Sequence, residues 1–380
     1  MDLTPVLKSN ITEESIMKCT VKKEVLLPHL QKVVGIISKK ATMPILCNLK
    51  IEAAGQELTL SGNCLDMEVQ TVMSAEVGEE GITTLPAYRL LESVNKLDGN
   101  EIELKSDDRF HGTITSGNAS LKLLGLNPQD YPQFPDAEPE QRLNLKTVDC
   151  IRMIDQVAYA VNINETRKVL QGILFEFQDH CLTAVATDGK RLARSRTEME
   201  DCEAGDFRII VPHKAALEIK KISEGSDGII EFEFNSKFMR VQIGTTTLRT
   251  KLIEGNYPNY QLVIPKDFSK SVELTSSALA QALDLVGVPI GGGDNVTLKF
   301  TTGQLELHTE SAAVGEGTVT LAAPHDFEEE MKFVFNQGML RDPFRFSGMD
   351  TLTFRMNDAT SPIALENGSF LYIQMPMRNK

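Results

Sequence analysis

The chain has 380 residues, and its 41% hydrophobic and 24% charged content is typical of a globular protein that buries its own core. No apolar run approaches the roughly 20 residues that cross a bilayer, which excludes a helical membrane protein, and we expect no membrane partner. The net charge of −14 argues by itself against a nucleic-acid partner, so such a partner would require a local excess of positive charge.

The N-terminal sequence and the cysteine pattern indicate the cellular compartment of the protein. Residues 1–16 lack the basic start and apolar run of a secretory signal, and we predict a polar N-terminal extension there. The six cysteines include no CxxC pair, and the six histidines show no HxxxH spacing. We therefore expect reduced thiols in a cytoplasmic protein, with no zinc site and no cofactor.

One pattern, a short alternating strand followed by an apolar helical stripe, occurs three times. The copies are found at 18–37, 142–161 and 271–290. A period this long indicates repeated domains, because solenoid repeats have roughly 20 to 50 residues. Proline-rich segments separate the copies, at 127–139 and 255–270. We therefore predict three domains after the extension, at 17–138, 139–268 and 269–380.

The first domain shows the elements that each repeat contains. We predict helices near 24–38 and 87–97. We predict strands at 18–23, 46–53, 57–62, 66–75, 82–86, 101–106, 109–115 and 119–125. Alternation in EIELK at 101–105, for example, puts the apolar side chains on one face. Two helices that cover one face of antiparallel sheets give an α+β architecture.

The same pattern predicts four helices in the later domains. They lie at 149–161, 213–223, 277–290 and 337–347. Pro343 falls inside the last one and should kink or shorten it, because proline has no backbone N–H to donate.

Positive charge is concentrated on the six predicted helices, with the first taken as 22–40. Together they carry thirteen basic and seven acidic residues, a net charge of +6, which leaves −20 for the rest of a chain whose total is −14. If the helices share one face, that face attracts phosphate while the remainder repels it. The chain shows no zinc-finger, homeodomain or RNA-recognition signature, so we expect backbone contacts that do not read sequence.

Five stretches resemble the bacterial sliding clamp family, the beta subunit of the replicative DNA polymerase. They are ATMPILCNLKIEA at 41–53, VLQGILFEF at 169–177, TAVATDGKRLAR at 183–194, LIEGNYPNYQLVIP at 252–265 and LYIQMPMR at 371–378. The resemblance covers about 17–380. It implies three clamp-type domains, each with two helices packed on antiparallel sheets, and a head-to-tail dimeric ring.

The resemblance also implies a function and partners. The implied function is that of a DNA sliding clamp without a catalytic site, a ring around duplex DNA that confers processivity on the polymerase during replication. The implied partners are double-stranded DNA, a second copy of the chain in a homodimer, the polymerase alpha subunit, the clamp loader delta subunit and other proteins with a clamp-binding motif.

Family sites carried over to this chain fall into three groups. The apolar cleft for a partner peptide would contain Leu170, Thr187, Gly189, Lys190, Arg191, Leu192, Pro258, Leu262, Val263, Ile373, Met375, Pro376, Met377 and Arg378. The DNA contacts would be Lys40, Arg89, Asn164, Arg167 and Lys168. The dimer seam would include Leu121 and Ile290.

The chain departs from the family pattern at several of these places. The family often has Arg at Tyr88, Tyr at Lys168 and His at Lys190. The third domain has Pro289 and the run Gly291–Gly293 where the dimer seam is expected.

Three alternatives stay open beside the clamp. An enzyme is disfavoured, because the glycine run lacks the Lys of a phosphate loop and Asp188 is better explained as a turn residue that bonds its own backbone. A clamp paralogue with a repair or drug-tolerance role would explain the unusual third domain. A structural scaffold that binds no DNA is the third.

Overall fold

The computed structural model describes residues 16–136, 138–200, 202, 204–291, 295–325, 327 and 329–377. Residues 1–15 of the predicted extension, Gly292, Gly293 and Arg378 lie outside these residues. The chain divides into two compact units. The first contains the residues up to 138 together with 238–251, and the second contains 139–237 together with the residues from 252 onward.

Six α-helices occur in the described part of the chain. They are α1 (Lys23–Val34), α2 (Ala87–Lys96), α3 (Thr147–Ala158), α4 (His213–Ser223), α5 (Ser276–Val286) and α6 (Gln337–Phe346). They pack as three successive pairs, α1 on α2, α3 on α4 and α5 on α6. Each pair belongs to one copy of the sequence repeat.

Twenty-five strands accompany these helices in the described residues. The first nine are β1 (Met17–Lys22), β2 (Asn48–Ala54), β3 (Glu57–Asn63), β4 (Met67–Ser74), β5 (Glu76–Glu79), β6 (Gly81–Pro86), β7 (Glu101–Ser106), β8 (Gly112–Ser116) and β9 (Ala119–Leu123). The next eight are β10 (Gln141–Lys146), β11 (Gly172–Gln178), β12 (Cys181–Thr187), β13 (Arg191–Glu198), β14 (Phe207–Pro212), β15 (Ile229–Phe234), β16 (Phe238–Ile243) and β17 (Thr246–Lys251). The last eight are β18 (Lys270–Thr275), β19 (Asn295–Thr301), β20 (Gln304–Ser311), β21 (Gly315–Ala322), β22 (Met331–Asn336), β23 (Thr351–Met356), β24 (Ile363–Asn367) and β25 (Phe370–Gln374).

In the first unit the strands form antiparallel sheets around α1 and α2. One sheet has the order β5-β1-β7-β8-β9, and its alternation predicted at 101–105 is present, since Ile102 and Leu104 are buried. The other runs β16-β17-β4-β3-β2-β6. Leu26, Leu30 and Val33 of α1 are fully buried against this framework, which shows that the apolar stripe of the repeat faces the core.

The second unit contains one long sheet, one short sheet and the pair β10–β15. The long sheet has the order β14-β11-β12-β13-β25-β24-β23-β18, and the short one has the order β21-β20-β19-β22. Strand β13 of the second repeat pairs with β25 of the third, with Leu192 opposite Ile373. The two repeats therefore share a continuous sheet.

Three helices end earlier than the sequence predicts, and one of them is α3, which ends at Ala158 rather than at 161. Helix α1 ends at Val34 rather than near 38–40, although Ile36 and Ile37 continue the apolar pattern and are buried in the turns that follow. Helix α5 ends at Val286, and Pro289 lies in a separate 3-10 turn over Val288–Ile290. Apolar residues in the turn after a helix can continue the spacing of the helix itself. The sequence pattern alone therefore placed these helix ends too late.

Pro343 does not end α6, so of the two outcomes expected for it, a kink or a shorter helix, the shorter helix is not found. Helix α6 begins with the Asn336 side chain accepting a hydrogen bond from Met339 N at 2.9 Å and continues past Pro343 to Phe346. Proline cannot donate to the carbonyl four residues earlier, which is that of Met339. The hydroxyl of the buried Tyr372 on β25 donates to this carbonyl at 2.8 Å. A tertiary hydrogen bond thus replaces the missing helical one.

Tyr372→Phe should lower the free energy of unfolding by about 1–2 kcal/mol, because it leaves the Met339 carbonyl without its donor. In a Pro343→Ala background the restored N–H can bond this carbonyl, so the same substitution should cost less. Denaturant unfolding of the four proteins in this cycle measures the coupling. Equal costs in both backgrounds would contradict the explanation.

Candidate functional site

The β13–β25 junction has an apolar floor on one face. Leu170, Leu192 and Ile373, all predicted to line the cleft, are buried in one cluster with Leu174 and Val185. Leu192 and Ile373 lie on the same sheet face because they are direct partners on neighbouring antiparallel strands, and Leu170 packs with them from the 3-10 turn Lys168–Gln171. The structure therefore brings the three predicted residues together in one buried cluster.

Exposed apolar side chains lie in two segments that adjoin members of this cluster in the chain, next to Tyr260 and to Ile373. Leu262 is 82% exposed and Val263 54%, and both lie in the 3-10 turn Tyr260–Val263. Met375 and Met377, just beyond β25, are 49% and 42% exposed. Several large apolar groups left exposed to solvent are typical of a docking site. Pro258 is exposed and Pro376 half-buried in the same two segments.

A tight turn between β12 and β13 forms another part of the site. Gly189 has φ +82, in the left-handed region, and its N–H donates to Thr187 Oγ1 at 3.1 Å. Asp188 Oδ1 accepts from the N–H groups of Lys190 and Arg191, each at 3.0 Å, which confirms that Asp188 bonds its own turn. Met375 N donates to Lys190 O at 3.3 Å and joins this turn to the C-terminal segment.

Arg191 points into the protein, although it was expected to line the cleft. Its side chain is only 11% exposed and forms ion pairs with Asp188 at 3.1 Å and with Asp342 of α6 at 2.6 Å. It also donates to the carbonyl of Tyr159. Burial alone would lower the pKa of Arg191, but Tyr372, Asp342 and Asp188 outweigh it and the pKa is raised. Arg191 therefore fixes the turn rather than presenting its charge to solvent.

Asp342→Asn should lower the free energy of unfolding by about 1–3 kcal/mol, since it removes a charged partner of a buried guanidinium. Asp284 provides the matched control, because it pairs with Arg341 and Arg345 but is 39% exposed. Asp284→Asn should cost less than about 1 kcal/mol. Equal losses for the two variants in denaturant unfolding would argue against a special role for the Arg191 cluster.

In the first unit the predicted DNA contacts Lys40 and Arg89 are both exposed. Lys40 belongs to the segment after α1, and Arg89 lies in the first turn of α2. Tyr88 joins these two elements, because its hydroxyl donates to Ile37 O at 3.0 Å and Lys39 Nζ lies 5.0 Å from the centre of its ring. Tyr88, at a position where the family often has Arg, thus holds the segment that contains Lys39 and Lys40 against α2.

In the second unit Asn164, Arg167 and Lys168 are exposed in the segment before β11. Arg167 pairs with Glu165 at 3.2 Å, which offsets part of its charge. The guanidinium of Arg167 also lies close to the turn at Gly189, since a Cβ added to Gly189 would lie 3.5 Å from Arg167 Nη2. The predicted DNA contact Arg167 therefore borders the predicted cleft.

The positive charge of the helical segments is concentrated in the first repeat. Residues 22–40 and 87–97 carry seven basic and two acidic residues, or +5 of the total +6. In the other helices ion pairs offset most cations, and these pairs are Arg152–Asp149, Lys220–Asp155, Lys221–Glu218, Arg341–Asp284 and Arg345–Asp284. The electrostatic attraction expected for phosphate should therefore come mainly from α1, α2 and the segment between Gly35 and Lys40.

The two predicted seam residues lie in different units. Leu121 is exposed on β9, which is the last strand of its sheet. Ile290 is half-buried in the 3-10 turn that packs on β21, the last strand of the short sheet. Leu285 and Val288 are exposed in or close to that turn, and Val314 is exposed directly before β21.

Tyr257 and Tyr260 were not predicted as site residues. Both are buried in the cluster beneath the cleft, and Tyr260 donates to Glu176 Oε2 at 2.9 Å. Burial, followed by Glu176, raises the pKa of Tyr260. The dipeptide Tyr257–Pro258 in the second linker repeats Tyr131–Pro132 in the first, and this recurrence could have identified Tyr257.

Neither a membrane-crossing helix nor a metal cluster occurs in the described residues. No helix there is both long and apolar enough to cross a membrane. No group of three or more His, Cys, Asp or Glu within the described ranges could hold a metal ion.

Comparisons with known proteins match the whole length of the fold. Models of the N-terminal, central and C-terminal domains of the DNA polymerase III beta subunit match residues 17–135, 144–259 and 261–378. The beta sliding clamp of Staphylococcus epidermidis is 28% identical over 376 residues, covering 96% of this chain and 100% of that protein. That of Chlamydia trachomatis is 29% identical over 367 residues, covering 96% and 87%.

Solved structures agree with these matches. The C. crescentus beta sliding clamp has a TM-score of 0.90 at 28% identity, covering 97% of this chain and 100% of that chain. The Bartonella birtlesii sliding clamp, solved bound to griselimycin, has a TM-score of 0.89 at 30% identity, covering 96% and 100%. The chain therefore belongs to the DNA polymerase III beta subunit family, the beta sliding clamps.

Proposed function

We propose that two copies of this chain close head to tail into a ring around duplex DNA and hold the replicative polymerase there. Family membership already identifies a DNA sliding clamp, a processivity factor with DNA and polymerase-type partners and no catalytic activity of its own. The observation that carries the ring is that all three clamp domains are present over nearly the full length.

Two open sheet edges support ring closure. Strands β9 and β21 each end a sheet and lie in the first and third repeats. An unpaired edge strand is a template for pairing with another chain, and a head-to-tail contact between different edges closes a ring when the rotation allows it. Leu121 and Ile290, with exposed Val288 beside the latter, would supply the apolar part of the seam.

The DNA contacts would be few and would not read sequence. Lys40 and Arg89 would contact phosphates from the first repeat, while Asn164, Arg167 and Lys168 would do so from the second. Phosphate contacts position a protein on the duplex without selecting bases. Because a closed ring cannot leave DNA sideways, weak contacts suffice and permit sliding.

The cleft would bind a short peptide of each partner. Its expected partners are the polymerase alpha subunit, the clamp loader delta subunit and other proteins with a clamp-binding motif. The exposed methionines suit several partners, because methionine is flexible and polarizable. Tethering would raise the effective concentration of the polymerase at the primer end. We infer that this work takes place in the cytoplasm.

Replacing both Met375 and Met377 with Glu should abolish binding of a polymerase C-terminal peptide, because charges would be buried in an apolar cleft. Fluorescence anisotropy of the labelled peptide measures the loss. Met43→Glu is a matched control, since Met43 is also exposed but lies in the first unit. Wild-type affinity in the double variant, with its mass in solution unchanged, would disprove the cleft assignment.

The ring itself is tested by comparing circular and linear DNA. The free chain should sediment as two copies, and the loaded protein should remain on nicked circular duplex but run off the same duplex after linearisation.

Lys40→Ala with Arg89→Ala should reduce the slope of log K against log salt by about 0.9 for each phosphate that is no longer neutralised. Lys96→Ala is the control on α2, because Lys96 pairs with Glu92 at 2.7 Å. Equal retention on both DNAs would refute the ring, and an unchanged slope would refute the assignment of Lys40 and Arg89 as DNA contacts.

A further inference from the structure

A second recess lies on the sheet face that carries the cleft floor. It has a volume of about 410 Å³, and its lining includes Glu176, Thr183, Arg194, Arg196, Tyr260 and Lys266. We call it the arginine recess. Arg194 and Arg196 are two apart on β13, so both side chains point to the face that also carries Leu192. Tyr260, which belongs to the buried cluster beneath the cleft, forms one wall.

Arg194 lacks the partners that a partly buried guanidinium usually has. Its Nε is inaccessible to solvent and has no hydrogen-bond partner among the described residues. Burial, followed by the like charge of Arg196, lowers the pKa of Arg194. A buried guanidinium nitrogen without an acceptor costs free energy, and such a group in a cavity calls for an explanation.

Two of the three acidic groups nearby are already engaged. Glu176 accepts from Tyr260 and pairs with Arg208 at 3.2 Å. Glu366, which lies near Arg194, pairs with Arg355 at 2.6 Å. Asp179 also lines the recess, at the turn between β11 and β12. Arg196 donates from Nε to Cys181 Sγ at 3.3 Å, and sulfur is a weak acceptor.

Positive charge therefore remains available inside the recess. Arg194, Arg196 and Lys266 supply three cations, and of the two carboxylates that line it, Glu176 already has two donors. Arginine pairs favour oxyanions, because each guanidinium offers parallel N–H groups that match the two oxygens of a carboxylate or phosphate.

We propose that the arginine recess is an oxyanion-binding site, distinct from the peptide cleft, that takes a carboxylate or phosphate group between Arg194 and Arg196. Such a group would accept hydrogen bonds from the two guanidinium groups and would relieve the repulsion between them. A carboxylate could come from an acidic side chain of a docked protein, because the turn Tyr260–Val263 borders both features. A phosphate could come from a free nucleotide or from inorganic phosphate.

Isothermal titration of the full chain with inorganic phosphate, and separately with glutamate, tests this at constant pH and ionic strength set by chloride. At least one anion should bind the wild type, and Arg194→Gln should raise its Kd at least about tenfold, the loss of one charged hydrogen bond. Arg196→Gln should act in the same direction. Arg142→Gln is the matched control, since Arg142 is an exposed arginine of the same unit that pairs with Glu233.

Each outcome decides one question. Binding of phosphate alone identifies a phosphate ligand, and binding of glutamate alone identifies a carboxylate from a partner. No binding of either anion, or equal affinity in the wild type and Arg194→Gln, overturns the proposal. Thermal melting of each variant without anion shows whether it is folded, and Arg196→Gln remains a test if Arg194→Gln is not. These outcomes are independent of peptide binding at Met375 and Met377.

Discussion

The pairing of β13 with β25 is the constraint on which the rest of the second unit depends. It places Leu192 opposite Ile373, although these residues belong to different repeats. The chain then continues with Met375 N bonded to Lys190 O and Met377 N bonded to Val334 O at 2.7 Å. Because both ends of the MPM segment are fixed by backbone hydrogen bonds, the two methionine side chains are held at the surface beside the apolar floor.

Buried charge supports this arrangement from the opposite face of the sheet. Arg191 contacts Asp188 in the cleft turn and Asp342 in α6, so a single guanidinium links the surface loop to the helical layer. The helical layer is not uniformly cationic. Its surplus lies in the first repeat, while Asp284 compensates both arginines of α6. A sliding clamp built from this chain would therefore attract DNA mainly through one of its three domains.

The sequence alone predicted the repeated α+β architecture and the helices α2 and α4 closely. Regular apolar spacing was sufficient there, because the last buried apolar residue lies within one residue of the helix end. It was not sufficient for α1, where Ile36 and Ile37 are buried outside the helix. It could not show that α6 continues past Pro343, since the donor that replaces the missing helical one comes from Tyr372 on a strand. Local propensity cannot contain a hydrogen bond formed across the tertiary structure.

The sequence predicted which segments form the candidate site, but it could not predict the directions in which their side chains point. Family resemblance brought together the segments that contain Leu170, Leu192 and Ile373. It could not show that Arg191 turns inward, because its partner Asp342 is 151 residues away. Nor could it indicate the arginine recess, because Arg194 and Arg196 became neighbours of Tyr260 only after folding.

The hydroxyl of Tyr372 has one more consequence for the C-terminal part of the molecule. It donates a hydrogen bond to the Met339 carbonyl of α6. Any residue other than proline at position 343 would supply this donor from its own backbone N–H. If β25 detached from the sheet, a carbonyl in the first turn of α6 would lose its donor as well. Melting of the last helix and release of the last strand should then occur as one cooperative opening, so amide protons in both elements would exchange with solvent together.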